Sequence, residues 1–145
     1  MTRKEIWFDM DGTFVNLYGV ENWLDYIINE NTKPYEIAKP LFNMQVFARM
    51  LNKLQKNGYK IGIITWTAGG NTTAEYNERV AQAKENWIRK HLASVKFDNI
   101  DIVPYGTPKE IGRMGILFDD EIGNRENWKG IAYDTQNIVE ILKTM

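Results

Sequence analysis

Apolar runs in this chain stop at groups that can do chemistry. Glu5-Ile6-Trp7-Phe8 runs into Asp9-Met10-Asp11-Gly12-Thr13, Lys60-Ile61-Gly62-Ile63-Ile64 into Thr65, and Gly115-Ile116-Leu117-Phe118 into Asp119-Asp120. Residues two apart in an extended segment point the same way, about 6.6 Å along the chain, so Asp9 and Asp11 can face one site. Carboxylates gathered in one place repel, and at neutral pH they persist only when a cation joins them or a proton is retained. The chain has no Cys and one His. That excludes disulfides, thiolate zinc, iron–sulfur clusters, Cys nucleophiles and multi-histidine metal sites. An all-oxygen set, Asp9, Asp11, Asp119 and Asp120, favours a hard ion such as Mg²⁺, which keeps waters and a substrate phosphate oxygen and needs two or three protein ligands.

The elements that must position these groups alternate. Glu5 to Asp9 reads as a buried strand, and Glu21 to Asn29 as a short helix with Leu24, Ile27 and Ile28 at helical spacing. Thr32-Lys33-Pro34 and Lys39-Pro40 read as punctuation, since a proline pushes its predecessor out of the helical region. A helix over Leu41 to Lys56 carries Leu41, Met44, Phe47, Leu51 and Leu54 on one stripe, with Gly58 as its stop. Lys60 to Thr65 is apolar with little alternation, as in a strand covered on both faces. After Ala68-Gly69-Gly70, the capping-box spacing Thr72-Thr73-Ala74-Glu75 opens a helix through Val80, Ala83, Trp87, Ile88 and Leu92. Asp101 to Val103, Gly115 to Asp119 and Gly130 to Tyr133 are three more strands, and Thr135 caps a closing helix. The expectation is one α/β domain over 1–145: a three-layer, Rossmann-like open parallel sheet of about five strands, helices on both faces and a small helical insert after the first strand. In such sheets ligands sit at the carboxyl ends of the strands, which is where the acidic residues stand.

At 145 residues, with 43% apolar and 26% charged residues and a mean hydropathy of −0.44, the composition suits one folded domain and excludes disorder, collagen and coiled coil. A net charge of −1 and a pI near 5.9 supply no general field for nucleic acid or anionic lipid. The apolar stretch after Met1-Thr2-Arg3-Lys4 is broken at once by Asp9 and Asp11, so it does not read as a signal segment, and no run approaches a membrane span. A cytoplasmic location without a membrane partner is the expectation; oligomeric state is left open.

Ile6-Trp7-Phe8-Asp9-Met10-Asp11-Gly12-Thr13 resembles the first motif of the haloacid dehalogenase superfamily, an apolar strand ending in Asp-x-Asp-Gly-Thr. Ile63-Ile64-Thr65 is similar to its second motif, Lys109 to the third-motif lysine, and Ile116-Leu117-Phe118-Asp119-Asp120 to the Asp-Asp form of the fourth. The matches keep their order from residue 6 to residue 120. The resemblance implies a phosphatase: Asp9 as nucleophile, Asp11 as general acid and base, and Thr65 and Lys109 as holders of the phosphoryl oxygens. It further implies Mg²⁺ held by Asp9, the backbone carbonyl of Asp11 and Asp119, with Asp120 supporting Lys109 or a metal-bound water. Superfamily members that attack carbon lack the second Asp, because a halide needs no proton, so Asp11 favours phosphorus chemistry.

Other readings stand beside these. Asp-x-Asp-Gly opens calcium loops too, but the twelfth position from Asp9, where such a loop needs Glu, is Val20. Arg113, four residues after Lys109, is an alternative cation. Trp66 could stack on a base or sugar or pack under its loop. Ala68-Gly69-Gly70 could offer N–H groups to phosphate or simply turn the chain. Gly12 is expected to permit a tight exit turn, Thr13 to bond nearby backbone, and His91 to interact with a helix C-terminus. The 14–39 stretch leaves room only for a flap and a small cap-like insert, which implies an open site. In this superfamily an open site suits larger phosphorylated partners, or a lid from another subunit, better than a tiny enclosed metabolite; the Asp-Met-Asp-Gly start and Asp119-Asp120 also look like the deoxyribonucleotidase branch, so the candidates are a nucleotide, another phosphorylated metabolite or a nucleic-acid end. The alternative from another class is a phosphate- or nucleotide-binding module with little turnover.

Overall fold

Ile6, Trp7 and Phe8 are successive residues of an extended strand, and all three are buried, so this strand is covered on both sides. The computed structural model describes residues 4–145; Met1, Thr2 and Arg3, the start of the stretch read above as no signal segment, lie outside the described residues. In chain order the elements are β1 (Glu5–Phe8), β2 (Val15–Asn16), a 3-10 turn (Leu17–Gly19), α1 (Trp23–Ile28), α2 (Lys33–Ile37), β3 (Lys39–Pro40), α3 (Met44–Lys56), β4 (Lys60–Trp66), α4 (Ala74–His91), β5 (Asn99–Val103), β6 (Ile116–Phe118), α5 (Ile122–Asn127), β7 (Ile131–Tyr133) and α6 (Ile138–Lys143).

Five strands form an all-parallel sheet in the order β5-β4-β1-β6-β7, flanked by helices, the open Rossmann-like α/β fold expected from the alternation of elements. Ile6 stands opposite Ile61 and Ile116, and Phe8 opposite Ile63 and Phe118. These residues share one face, where Phe47 and Leu51 of α3, Trp87 and Ile88 of α4 and Ile138 and Leu142 of α6 cover them. The opposite face carries Trp7, Ile64 and Leu117 under Trp128, which follows α5, and the Arg113 guanidinium lies 5.2 Å from the Trp7 ring. Gly62 belongs to this thinner side: a Cβ there would collide with the Trp7 indole. The chain runs from β1 outward to β4 and β5, then crosses back to β6 and β7, so its direction reverses at β1 and leaves a crevice at the carboxyl ends of β4, β1 and β6.

Several boundaries depart from expectation for local reasons. Leu41 is not on the α3 stripe: its N–H bonds the Phe14 carbonyl beside the short antiparallel pair β2–β3, it is 43% exposed, and Asn43 caps α3 by accepting from the N–H groups of Gln45 and Val46. Thr32-Lys33-Pro34 starts a helix instead of interrupting one, because proline fits the first turn, where no intrahelical N–H is needed. Thr73, not Thr72, caps α4, accepting from the Tyr76 N–H, and Thr135 bonds the Gly12 carbonyl instead of capping α6. The insert between β2 and β3 is thus two short helices, and Leu17, Ile27 and Tyr35 from it pack on Tyr76, Val80 and Ala83 of α4. Among the described residues no helix is long and apolar enough to cross a membrane.

Candidate functional site

The loop leaving β1 winds around a single carbonyl. The N–H groups of Thr13, Phe14 and Val15 all donate to the Met10 oxygen at 3.0–3.1 Å, and Gly12 donates to the Val15 carbonyl at 2.9 Å. Gly12 takes φ +79°, and a Cβ there would strike the Asp120 carboxylate, so the tight exit turn needs glycine on both counts. Thr13 does not serve backbone as expected; its hydroxyl donates to Asp9 Oδ2 at 3.1 Å.

β1 and β6 end side by side, with the Asp9 N–H on the Phe118 carbonyl at 2.9 Å, which sets Asp9 beside Asp119 and Asp120. One oxygen from each of these three carboxylates lies within 4.8 Å of the others. Lys109, on the loop between β5 and β6 and almost fully buried, donates to Asp9 Oδ1 at 3.0 Å and Asp119 Oδ2 at 2.7 Å. Arg113 turns away and pairs with Asp101 at 2.9 Å, so Lys109 is the cation that reaches the carboxylates. Asp119 also accepts from the Glu121 N–H at 2.9 Å and the Asn124 amide at 3.1 Å, while Asp120 shares a hydrogen bond with Asp9, not with Lys109.

One ammonium cannot balance this group. Burial and then the neighbouring Asp9 charge push the Asp119 carboxyl up to about 6 and Asp120 up to about 8. Burial works against the charged form of Lys109, but Asp9 and Asp119 outweigh it and hold its pKa above the ordinary lysine value. Three oxygen donors with excess negative charge and no nitrogen or sulfur ligand fit a hard divalent cation, and Mg²⁺ suits that donor set.

The Asp11 side chain is not part of the trio. Its carboxylate accepts from Lys84 Nζ at 2.8 Å, and burial, set against the pull of Lys84, raises its pKa. Lys84 was not among the sequence candidates. Its ammonium also donates to Thr65 Oγ1 and the Trp66 carbonyl, each at 2.7 Å, from a side chain 2% exposed. The signal was its register: Val80, Lys84 and Ile88 stand four apart on the buried row of α4, where an unpaired lysine would be costly.

β4 runs one residue past Thr65, to Trp66, and Thr65 is buried against Lys84. Trp66 both packs and lines the cavity: its indole N–H donates to the Thr107 carbonyl at 2.8 Å, its ring centroid lies 5.0 Å from that of Tyr105, and Lys109 Nζ stands 4.9 Å from it. The Ala68-Gly69-Gly70 loop is tied to α4, the Ala68 N–H donating to Asn77 and the Thr72 hydroxyl to the carbonyls of Ala68 and Gly69. His91 stacks on Trp87, 4.1 Å between centroids, in the last turn of α4, and burial lowers its pKa. Asp9, Asp11, Thr65, Trp66, Lys109, Asp119 and Asp120 all line one cavity of about 510 Å³. The sequence matches no protein-family model, and no curated protein matches it.

Proposed function

We propose that the chain is a Mg²⁺-dependent phosphomonoester hydrolase working through an aspartyl phosphate on Asp9. The carrying observation is the convergence, in one cavity at the carboxyl ends of β1, β4 and β6, of a carboxylate trio, a buried lysine, a threonine and a separate carboxyl on its own lysine. The resemblance to the haloacid dehalogenase superfamily supports the same assignment. Bound at Asp9, Asp119 and Asp120, Mg²⁺ would neutralise the phosphate charge that otherwise repels an anionic nucleophile.

Asp9 is fixed through both oxygens, by Lys109 and by Thr13, so its approach to phosphorus is set before substrate arrives. One Asp9 oxygen attacks phosphorus, the ester P–O bond breaks, and the leaving oxygen takes the Asp11 proton. Water then attacks the phosphorus of the aspartyl phosphate, its proton passes to Asp11, and Asp9 and inorganic phosphate are restored. The Lys109 ammonium and the Thr65 hydroxyl donate to phosphoryl oxygens as charge builds on them. Lys84, bonded to both Asp11 and Thr65, keeps the proton donor and the phosphate ligand in one register. The substrate is a small phosphorylated molecule, and a cytoplasmic setting suits it.

Phosphate release from p-nitrophenyl phosphate, with Mg²⁺ and with EDTA, tests this. Wild type should require the metal, and Asp9→Asn should lose about a thousandfold or more of kcat. Equal activity of Asp9→Asn would remove the nucleophile assignment. Inactivity across a broad panel of phosphate esters would favour a phosphate-binding module.

A further inference from the structure

We infer that this site takes a monophosphate ester whose leaving group carries a flat, uncharged aromatic ring and no second anionic group. The inference rests on the hydrolase reading and names its substrate class. The cavity of about 510 Å³ falls in the range, about 300–1,000 Å³, of pockets that enclose drug-sized ligands, and a phosphoryl group fills only a small part of that. The rest of its lining includes rings and branched chains: Tyr18, Trp23, Leu24 and Ile28 from the insert, Trp66 at the end of β4 and Tyr105 from the loop after β5.

Two features of these walls point to a ring. Trp66 is held by its bond to Thr107 and by its contact with Tyr105, so it offers a fixed aromatic surface without further loss of side-chain freedom. Leu24 and Ile28, one helical turn apart on α1, are 51% and 66% exposed, and Tyr105, which lines the same cavity, is 59% exposed. Large apolar groups left in water around one cavity are the area that a flat apolar ligand would cover.

Charge settles what the ring cannot carry. Among the described residues lining the cavity, the charged ones are Asp9, Asp11, Asp119, Asp120 and Glu121 against Lys109. Lys109 is already shared by Asp9 and Asp119. A carboxylate or second phosphate on the leaving group therefore meets no free cation along the walls and is repelled by these carboxylates. Sugar bisphosphates, phosphorylated hydroxy acids and nucleoside triphosphates are poor fits.

The test compares kcat/KM of the full chain with Mg²⁺ on esters matched in leaving-group chemistry. 2-Naphthylmethyl phosphate should exceed ethyl phosphate, also a primary-alcohol ester, by about ten-fold or more. 4-Carbamoylphenyl phosphate should exceed its anionic isostere 4-carboxyphenyl phosphate by about ten-fold. Adenosine 5′-monophosphate tests a ring held one sugar away: parity with the naphthylmethyl ester assigns the cleft to a nucleoside, and a lower value to a ring next to the ester. Leu24→Ser, at an exposed position, should lower the naphthylmethyl-to-ethyl ratio about five-fold. Equal rates on naphthylmethyl and ethyl phosphate, or on the carbamoyl and carboxy pair, would overturn the inference while leaving the hydrolase reading intact. Failure to hydrolyse any ester would count against the hydrolase reading alone. Calorimetry would then decide the cleft, since equal affinities for naphthylmethyl and ethyl phosphate overturn it.

Discussion

Lys84 donates three bonds of 2.7–2.8 Å, to Asp11, Thr65 and the Trp66 carbonyl, from a side chain with almost no exposure. A buried ammonium persists only when its three donors are all used, and here they are. Lys84→Met keeps the length of the side chain and removes those bonds, leaving Asp11 beside the acidic trio without its cation. Water still reaches the Asp11 carboxylate, which is 16% exposed, so the cost should sit low for a broken buried pair, about 2 kcal/mol in urea denaturation. The kcat for phosphate release should fall as well, and Lys84→Arg should not restore it, because a planar fork does not fit a pocket shaped around a point charge. Unchanged stability in Lys84→Met would mean that the pairing with Asp11 contributes nothing. The carboxylates were legible in the sequence because they stand where apolar strands stop. Lys84 was not, because a lysine inside an apolar row reads as an interruption until its partners are seen. Lys109 and Arg113 could not be separated by spacing either: the loop that carries them is irregular, with Gly106, Gly112 and Gly115 all at positive φ, so the two side chains do not share a helix face.

The long elements were legible because α3 and α4 repeat their apolar period over two turns or more and β4 is an unbroken apolar run. In the insert, α1 was legible from Leu24, Ile27 and Ile28 at helical spacing, but α2 was not, since its five residues are too few to show a period and Pro34 conceals its start. α5, six residues with no buried side chain, left no trace for the same reason. Beside the packing of Leu17, Ile27 and Tyr35 on α4, an acidic residue ties the insert down: Glu30, at φ 55°, accepts from the Thr73 N–H at 2.8 Å and the Thr73 hydroxyl at 2.9 Å, so the residue that caps α4 also anchors the end of α1. Thr73→Ala removes both the cap on Tyr76 and the hydroxyl bond to Glu30. It should cost about 1 kcal/mol in urea denaturation and speed amide exchange in α1 and α2 more than in β4. Uniform acceleration across the chain would show that the anchor is not local.

A net charge of −1 for the whole molecule conceals a strong local imbalance at Asp9, Asp119 and Asp120. In the metal-free protein this links stability to pH. The folded-state pKa values of Asp119 and Asp120, about 6 and about 8, lie above the ordinary 3.8, so the folded chain binds protons more tightly than the unfolded one. Their favourable contribution is therefore complete below pH 3.8 and is lost as pH rises through about 6 and then about 8. In EDTA, Tm should fall between pH 6 and pH 8, and saturating Mg²⁺ should raise Tm more at pH 8 than at pH 6, because metal and proton compete for the same oxygens. A Mg²⁺ effect independent of pH would place the ion elsewhere.

The central strand imposes an order on assembly. β1 precedes the other strands of its sheet in the chain, yet its two hydrogen-bonded neighbours are β4, at residues 60–66, and β6, at residues 116–118. During synthesis Ile6, Trp7 and Phe8 therefore stay exposed on one edge until more than a hundred further residues have been made, which demands slow, long-range pairing and invites association with other nascent chains. The same wait protects against premature chemistry: with Asp9 on one side of that last pairing and Asp119 and Asp120 on the other, no fragment ending before β6 holds the three carboxylates together.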